Sequence, residues 1–247
     1  MTVLASLLLL VPARPAADDP VPYLDGVRPP LTARHRAEVW RLFQAGRDRV
    51  AGQFTRVARL HTALDRLADP RDPGHDAWAG VRRQLDAALV ACRDAERKAF
   101  DGCRRQLFPE QEADWLAQRT ADLRRRPGWS RVRLTPADEE RVVPAAAFFA
   151  EAVARSSWRA DELRSAQRGA AARVRQTRRL GPRYDQALAE EALAEGPAVA
   201  SAVYRDWLRD AAEAELRALL SDEQRGQLGP VGPPRRPMPP PPPPPPR

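Results

Sequence analysis

The chain has 247 residues and a formal net charge of +8, and all but one of its basic side chains are arginine. Aromatic residues make up 6% of the chain, isoleucine is absent, and charged residues reach 30%. This composition excludes a polytopic membrane protein, and it argues against an all-β domain and for helices built from Ala, Leu, Arg and Glu.

The first residues are similar to a short export signal. Val3 to Val11 form an apolar run, and Val11 and Ala13 occupy the small-residue positions that a signal peptidase reads, although no basic residue precedes the run. We therefore predict a signal peptide at residues 1–13, a Pro-rich linker at residues 14–30, and a periplasmic or otherwise exported mature protein.

The C-terminal residues 230–247 predict a disordered tail. They contain eight consecutive prolines, Pro239 to Pro246, which favour an extended polyproline II conformation. Two interpretations remain open at this point: a solvated spacer, or a ligand for a polyproline-binding partner.

Residues 31–126 predict a first helical hairpin. An apolar stripe with steps of three and four residues indicates a helix over residues 33–68, which Pro70, Pro73 and Gly74 end. A second stripe runs from Trp78 to Leu107, and its spacing fails only between Cys92 and Phe100. The two stripes should face each other in a long antiparallel pair.

Residues 127–229 predict a second hairpin of the same plan. One helix carries apolar residues from Val142 to Val174, with Pro144 at its start or at a kink, and a return segment follows that is interrupted at Gly196–Pro197. Residues 155–183 are strongly basic and residues 184–223 strongly acidic, which predicts ion pairs between the two helices. The sequence thus predicts an all-α fold of two elongated antiparallel helical hairpins in tandem, with disordered N- and C-terminal segments.

Each half begins and ends with a similar short phrase. Leu31-Thr32 and Leu134-Thr135 open the halves, and Leu107 to Gln111 and Leu220 to Gln224 close them. Thr32, Thr135 and Ser221 are good helix N-caps, and Gln224 can bond back as in a capping box. Phe108 cannot cap, so the first closing phrase keeps only part of this device.

These phrases resemble the LTxxQ motif of a family of periplasmic proteins of the Spy and CpxP type, here as two tandem units with degenerate motifs. His35 and Asp138 stand where the opening phrases would have Gln, and Phe108 and Ser221 stand where the closing phrases would have Thr. The resemblance implies Spy-like helical units and an ATP-independent chaperone or envelope-stress protein. By analogy, the chain would hold unfolded clients reversibly on an amphipathic helical surface, and a homodimer is possible.

Two alternative functions stay open. The first is a periplasmic metal-sensing or metal-resistance regulator, for which His61 and His75 are the candidate ligands because they flank the first hairpin's turn. The second is a structural envelope protein that docks partners through its polyproline tail. We expect no bound cofactor, because the sequence has no CxxC pair and no glycine-rich phosphate loop.

The remaining polar residues do not predict an enzyme or a nucleic-acid-binding protein. The acidic pairs indicate solvated helix faces, and the export signal argues against a nucleic-acid partner for the arginine clusters. Arg124, Arg125, Arg126 and Trp129 precede or lie in the junction between the units, and they are the candidates for client contact. We predict no membrane insertion of the mature chain.

The two cysteines, Cys92 and Cys103, lie in the second apolar stripe. They are about 16 Å apart along a continuous helix and cannot bridge each other there. Buried core thiols are the favoured interpretation, with disulfides to a second chain or redox sensing as the alternative.

Overall fold

The structure is a computed structural model that describes residues 21–67, 75–177 and 182–229. Those residues contain helices and no strand, which confirms the all-α prediction. The six α-helices are α1 (Ala33–Leu67), α2 (His75–Arg104), α3 (Pro109–Arg124), α4 (Pro136–Thr177), α5 (Pro182–Ala218) and α6 (Asp222–Leu228). A single 3₁₀ turn, Trp129–Arg131, lies between α3 and α4. No helix among these residues is long and apolar enough to cross a membrane.

Helices α1 and α2 pack along most of their length. The thiol of Cys103 donates to the carbonyl oxygen of Val39 (Sγ to O, 3.6 Å). Further along α1, a Cβ atom added to Gly46 would lie 2.6 Å from the Cβ of Ala99, so the two backbones approach too closely there for any side chain at position 46. Residue numbers therefore increase along α1 in the direction in which they decrease along α2.

Helices α4 and α5 pack against each other in the second half, with Ser201 donating from its hydroxyl to the carbonyl oxygen of Ser156 at 3.3 Å. The predicted interruption at Gly196–Pro197 is wrong, because α5 continues through both residues. Proline removes one backbone hydrogen bond, but burial of Ala198, Ala200 and Tyr204 on the same helix offsets that loss.

One apolar core joins the two halves, defined here as residues 21–126 and 127–229. Phe100 of the first half packs edge to face against Phe148 of the second, with ring centroids 5.6 Å apart. Phe54 packs in the same way against Tyr204 at 5.9 Å. The apolar stripes of both halves therefore contribute to one buried interior.

The prediction of a linker at residues 14–30 is wrong for the described part of that segment. In residues 21–30, Tyr23, Leu24 and Val27 are buried in the core. The Tyr23 ring packs edge to face against Phe43 and Phe100. These contacts with residues distant in sequence account for the burial of Tyr23. The predicted signal peptide, residues 14–20 and the polyproline tail lie outside the described residues.

Candidate functional site

The two opening phrases cap the helices that follow them. Thr32 accepts a hydrogen bond on Oγ1 from the backbone N–H of His35 at 3.3 Å, at the start of α1. Thr135 accepts one from the N–H of Asp138 at 3.2 Å, and the Asp138 carboxylate accepts the N–H of Thr135 at 3.1 Å in return. Asp138 thus completes a reciprocal capping pair at the position where the motif has Gln. His35 instead packs its ring against Phe108, with centroids 5.0 Å apart.

The two closing phrases differ in how completely they form a capping box. In the second half, the Ser221 hydroxyl accepts the N–H of Gln224 at 3.3 Å, and Gln224 Oε1 accepts the N–H of Ser221 at 2.9 Å. In the first half, Gln111 Oε1 accepts the N–H of Phe108 at 3.0 Å, but the side chain of Phe108 has no oxygen that could accept an N–H of α3 in return. One copy is therefore a full capping box and the other is half of one.

Each closing glutamine also reaches back to the start of its own half. Gln111 Nε2 donates to the carbonyl oxygen of Pro29 at 2.9 Å. Gln224 Nε2 donates to the carbonyl oxygen of Arg133 at 2.9 Å and to Asp138 at 2.8 Å. We call these two arrangements the first and second motif clasps. Both glutamines are buried, at 2% and 7% exposure, and both the oxygen and the nitrogen of each amide make a hydrogen bond.

The residue three positions after each glutamine repeats the connection. Asp114 accepts the backbone N–H of Arg28 at 2.8 Å, and Gln227 accepts the backbone N–H of Arg133 at the same distance. Two consecutive turns of α3 and of α6 therefore bind the chain that leads into α1 and α4.

The leucines of the phrases support the clasps by packing. Leu31 and Leu220 are buried, and Leu107 and Leu134 are partly buried against the core. The phrases thus combine an apolar anchor with a polar cap, as the sequence pattern indicates.

Asp138 is the electrostatic centre of the second clasp. Hydrogen bonds from Gln224 and from the hydroxyl and N–H of Thr135 hold the pKa of its carboxyl well below the ordinary value, with Arg141 adding to the effect. The ionised carboxylate is the form that this arrangement binds.

A second group of polar side chains lies between the two halves. Tyr204 of α5 donates its hydroxyl to Glu96 of α2, with an O–O distance of 2.8 Å. Arg155 lies 3.9 Å over the ring of Tyr23, and Arg159 lies 4.9 Å over the ring of Phe54. We call Glu96, Tyr204, Arg155 and Arg159 the interhalf polar cluster.

Burial dominates the electrostatics of the interhalf polar cluster. It raises the pKa of Glu96 against the pull of Arg155 and Arg159, and it raises the pKa of Tyr204 well above its ordinary value. It also lowers the pKa of Arg159. Among the described residues, Nε and Nη2 of Arg155 are buried without a hydrogen-bond partner. The cluster thus holds charged groups that lack the hydration they would have in water.

Sequence reasoning missed this cluster, although the sequence held a signal for it. Glu96 stands four residues after Cys92 and four before Phe100, and so fills the gap in the second apolar stripe. A charged residue in phase with an apolar stripe predicts a buried partner on another helix.

The two cysteines are buried free thiols. Burial is the main cause that raises the pKa of each of them to about 12. They therefore remain neutral and shielded in the folded chain, which agrees with the core interpretation rather than with disulfides to a second chain.

The candidate metal ligands are not assembled in the described residues. His61 pairs with Asp65 on the same helix, Nδ1 to Oδ2 at 3.1 Å, and the side chain of His75 lies outside the described residues. No group of three His, Cys, Asp or Glu side chains in the described part of the chain is placed to hold a metal ion.

Two of the candidate client contacts at the junction, Arg124 and Arg125, are exposed and make surface ion pairs. Arg124 bonds to Glu139 at 2.9 Å, Arg125 bonds to Asp122 at 3.3 Å, and Trp129 is partly buried against the core. Arg126 is partly exposed. The large apolar side chains that are exposed in the described ranges are Trp78 and Phe108 instead.

Comparison of the chain with known protein families, with curated proteins and with solved structures finds no match.

Proposed function

We propose that the chain is an ATP-independent periplasmic chaperone or envelope-stress protein of the LTxxQ type, which holds unfolded clients reversibly. The observation that carries this proposal is the pair of motif clasps. The positions Gln111 and Gln224, which carry the resemblance, are the two glutamines that tie a closing phrase to the backbone just before an opening phrase. The resemblance therefore rests on positions with the same physical task in both halves.

The finer architecture belongs to this proposal. In it, α1 with α2 and α4 with α5 are two helical hairpin units in tandem, each closed by its own clasp. The recurrence of the Asp114 and Gln227 contacts one turn after the glutamines supports two equivalent units, because chance capping would not repeat a second contact at the same spacing.

Charge and apolar surface have separate tasks in client holding. The chain is rich in arginine, and its net charge of +8 attracts acidic segments of an unfolded protein. Long arginine stems also cover apolar surface, so they contact apolar segments as well. Holding should therefore be weak, reversible and sensitive to salt.

Light scattering tests the proposal. Urea-unfolded malate dehydrogenase is diluted into buffer without ATP, with and without the full chain, at low and at moderate salt. We expect suppression of aggregation near stoichiometric ratio, with less suppression at the higher salt. Lysozyme, another small basic protein, is the matched control for charge alone. Suppression no better than that of lysozyme at either salt would overturn the proposal.

The two alternative functions stay predictions. Nothing in the described residues favours the metal-sensing regulator, since His61 is paired with Asp65. The docking protein depends on the polyproline tail, which lies outside the described residues. Deleting residues 230–247 separates it from the chaperone, because docking would be lost and holding retained.

A further inference from the structure

A groove lies at the end of the molecule that holds the second clasp. It consists of two neighbouring cavities, of about 590 and about 450 Å³, which share Arg141, Ala218 and Leu219 in their walls. The larger cavity adjoins α6 and contains Glu223 in its wall, and the smaller adjoins α2 and contains Asp101. We call the two cavities together the end groove. Cavities of this size hold ligands as large as a few residues of an extended chain.

The described part of the chain ends beside the end groove. The carbonyl oxygen of Gly229, the last described residue, accepts a hydrogen bond from Arg217 Nη2 at 2.8 Å. Arg217 directly precedes Ala218, which lines both cavities, and Gln227 lines the larger one. Residues 230–247 therefore begin at the groove and are tethered next to it.

The walls of the end groove suit a segment made mostly of proline. Proline has no backbone N–H, so such a segment presents carbonyl acceptors and apolar rings. The groove supplies donors, because Arg97 and Arg141 each use one guanidinium nitrogen in a hydrogen bond within the described chain and carry five N–H groups. Phe100, Pro144 and Leu219 supply apolar wall against which the rings can pack.

Charge also favours this segment. Residues 230–247 carry three arginines and no acidic residue, and the rest of the chain is itself net positive. The described side chains that line the end groove include one more carboxylate than guanidinium group, so the groove attracts a basic segment that the chain as a whole repels.

Two carboxylates of the end groove have bonding capacity left. Asp101 makes no side-chain hydrogen bond or ion pair with the described residues. Glu223 accepts one hydrogen bond, at 3.3 Å, from the amide of Gln227 on its own helix. A carboxylate has two oxygens and accepts several bonds, so both groups can pair with a guanidinium.

We infer that residues 230–247 bind in the end groove of the same chain. In this arrangement Arg235 and Arg236 pair with the two carboxylates, and the prolines pack along the apolar wall. The inference does not depend on the chaperone function. Exposed ion pairs are individually weak, but tethering holds the segment at an effective concentration on the order of millimolar, so weak contacts are sufficient.

A spin label on the segment tests the inference in the full chain. Met238→Cys places a reactive thiol among the prolines, because Cys92 and Cys103 are buried. The unsubstituted chain, treated with the same label, measures any reaction at the buried thiols. At low salt we expect an electron paramagnetic resonance spectrum broader than that of the labelled synthetic peptide of residues 230–247. Higher salt should narrow it, because the ion pairs are exposed.

Substitution of the two carboxylates locates the contact. Asp101→Asn with Glu223→Gln should lower the ratio of immobilised to mobile label several-fold, because both charges that pair with the arginines are lost. The matched control is Asp210→Asn with Glu110→Gln, which removes two exposed carboxylates that do not line the groove. It should leave the spectrum unchanged. Circular dichroism checks that both double variants remain helical.

Three results would overturn the inference. A spectrum as narrow as that of the free peptide would show that the segment is unbound. Broadening that survives Asp101→Asn with Glu223→Gln would place the contact elsewhere on the chain. Broadening that decreases as the protein is diluted would mean that the segment binds a second copy rather than its own chain.

Discussion

The two motif clasps close in different ways. The second clasp is polar: Ser221, Gln224, Asp138 and Thr135 exchange hydrogen bonds within one small group. The first clasp lacks a capping hydroxyl at Phe108, and its support comes from packing instead. Four residues after Gln111 stands Trp115, which is fully buried, whereas four residues after Gln224 stands Leu228, which is only partly buried. One half has therefore replaced a polar cap by an aromatic anchor.

This difference explains why the N-terminal segment is ordered against the first half. Trp115 donates from Nε1 to the carbonyl oxygen of Tyr23 at 3.1 Å, and Tyr23 packs on Phe43 and Phe100. The equivalent position in the second half is Leu228, which has no aromatic ring and no N–H on its side chain to bind a backbone segment in this way. The comparison shows that two copies of one phrase can keep the glutamine and exchange the rest of the support.

The largest expected effect is at the aromatic anchor. Trp115→Ala removes a buried ring that contacts Phe100 and Arg104, and should lower the free energy of unfolding by about 3 to 5 kcal/mol. Urea unfolding followed by circular dichroism measures it. The matched substitution Leu228→Ala should cost clearly less. Equal losses would contradict the contrast between the two halves.

The two glutamines come next. Gln111→Ala and Gln224→Ala each remove one hydrogen bond to a backbone carbonyl and one from a cap N–H, and each should cost about 1 to 3 kcal/mol. Gln224→Ala should cost more of the two, because it also loses a bond to the ionised Asp138. Urea unfolding of both variants checks this order, with Gln176→Ala, an exposed glutamine of α4, as the control. A cost as small as that of the control at either position would break the equivalence of the clasps.

The second clasp should also carry a pH dependence that the first lacks. The folded-state pKa of Asp138 is lowered, chiefly by the hydrogen bond from Gln224. Its contribution to stability is therefore present above the unfolded-state pKa, about 3.9, and is lost as the pH falls from there toward the folded-state value. The Asp138→Asn variant should lose less stability than the wild type as the pH is lowered from 5. Urea unfolding at several pH values measures this difference.

The control for this titration is Glu140→Gln, a substitution of a neighbouring carboxylate on α4. It should leave the slope of stability against pH close to that of the wild type. A slope as shallow as that of Asp138→Asn would mean that the acid sensitivity is general to the helix rather than specific to the clasp.

The smallest effects concern the capping hydroxyl itself. Ser221→Ala should lower the free energy of unfolding by about 1 kcal/mol, because the N–H of Gln224 loses its acceptor. Phe108→Ser supplies the missing hydroxyl to α3 but loses the contact with His35, so we expect a gain of only a few tenths of a kcal/mol. Thermal unfolding compares both with Ser221→Thr, which keeps an acceptor. A large loss on Phe108→Ser would show that the exposed ring supports the clasp.

The sequence allowed the helices and the caps to be predicted because these depend on near neighbours. The periodic stripe predicted a helix over residues 33–68, and α1 spans Ala33–Leu67. Caps at Thr32 and Ser221 involve partners three residues away, so local spacing is enough to predict them.

The parts that were not predicted depend on partners far along the chain. Tyr23 is 92 residues from Trp115, and Glu96 is 108 residues from Tyr204. The Pro-rich composition of residues 14–30 indicated a linker, but Tyr23, Leu24 and Val27 within it lie in the core. Glycine and proline at positions 196 and 197 indicated a break, whereas packing on both sides kept α5 intact.

The close approach at Gly46 makes two positions mutationally interdependent. A methyl group at position 46 has no room while Ala99 keeps its own, so Gly46→Ala alone should force α1 away from α2. Ala99→Gly would vacate that space and make the same substitution acceptable. Substitutions at these two positions can therefore accumulate in one order: position 99 must lose its side chain before position 46 can gain one.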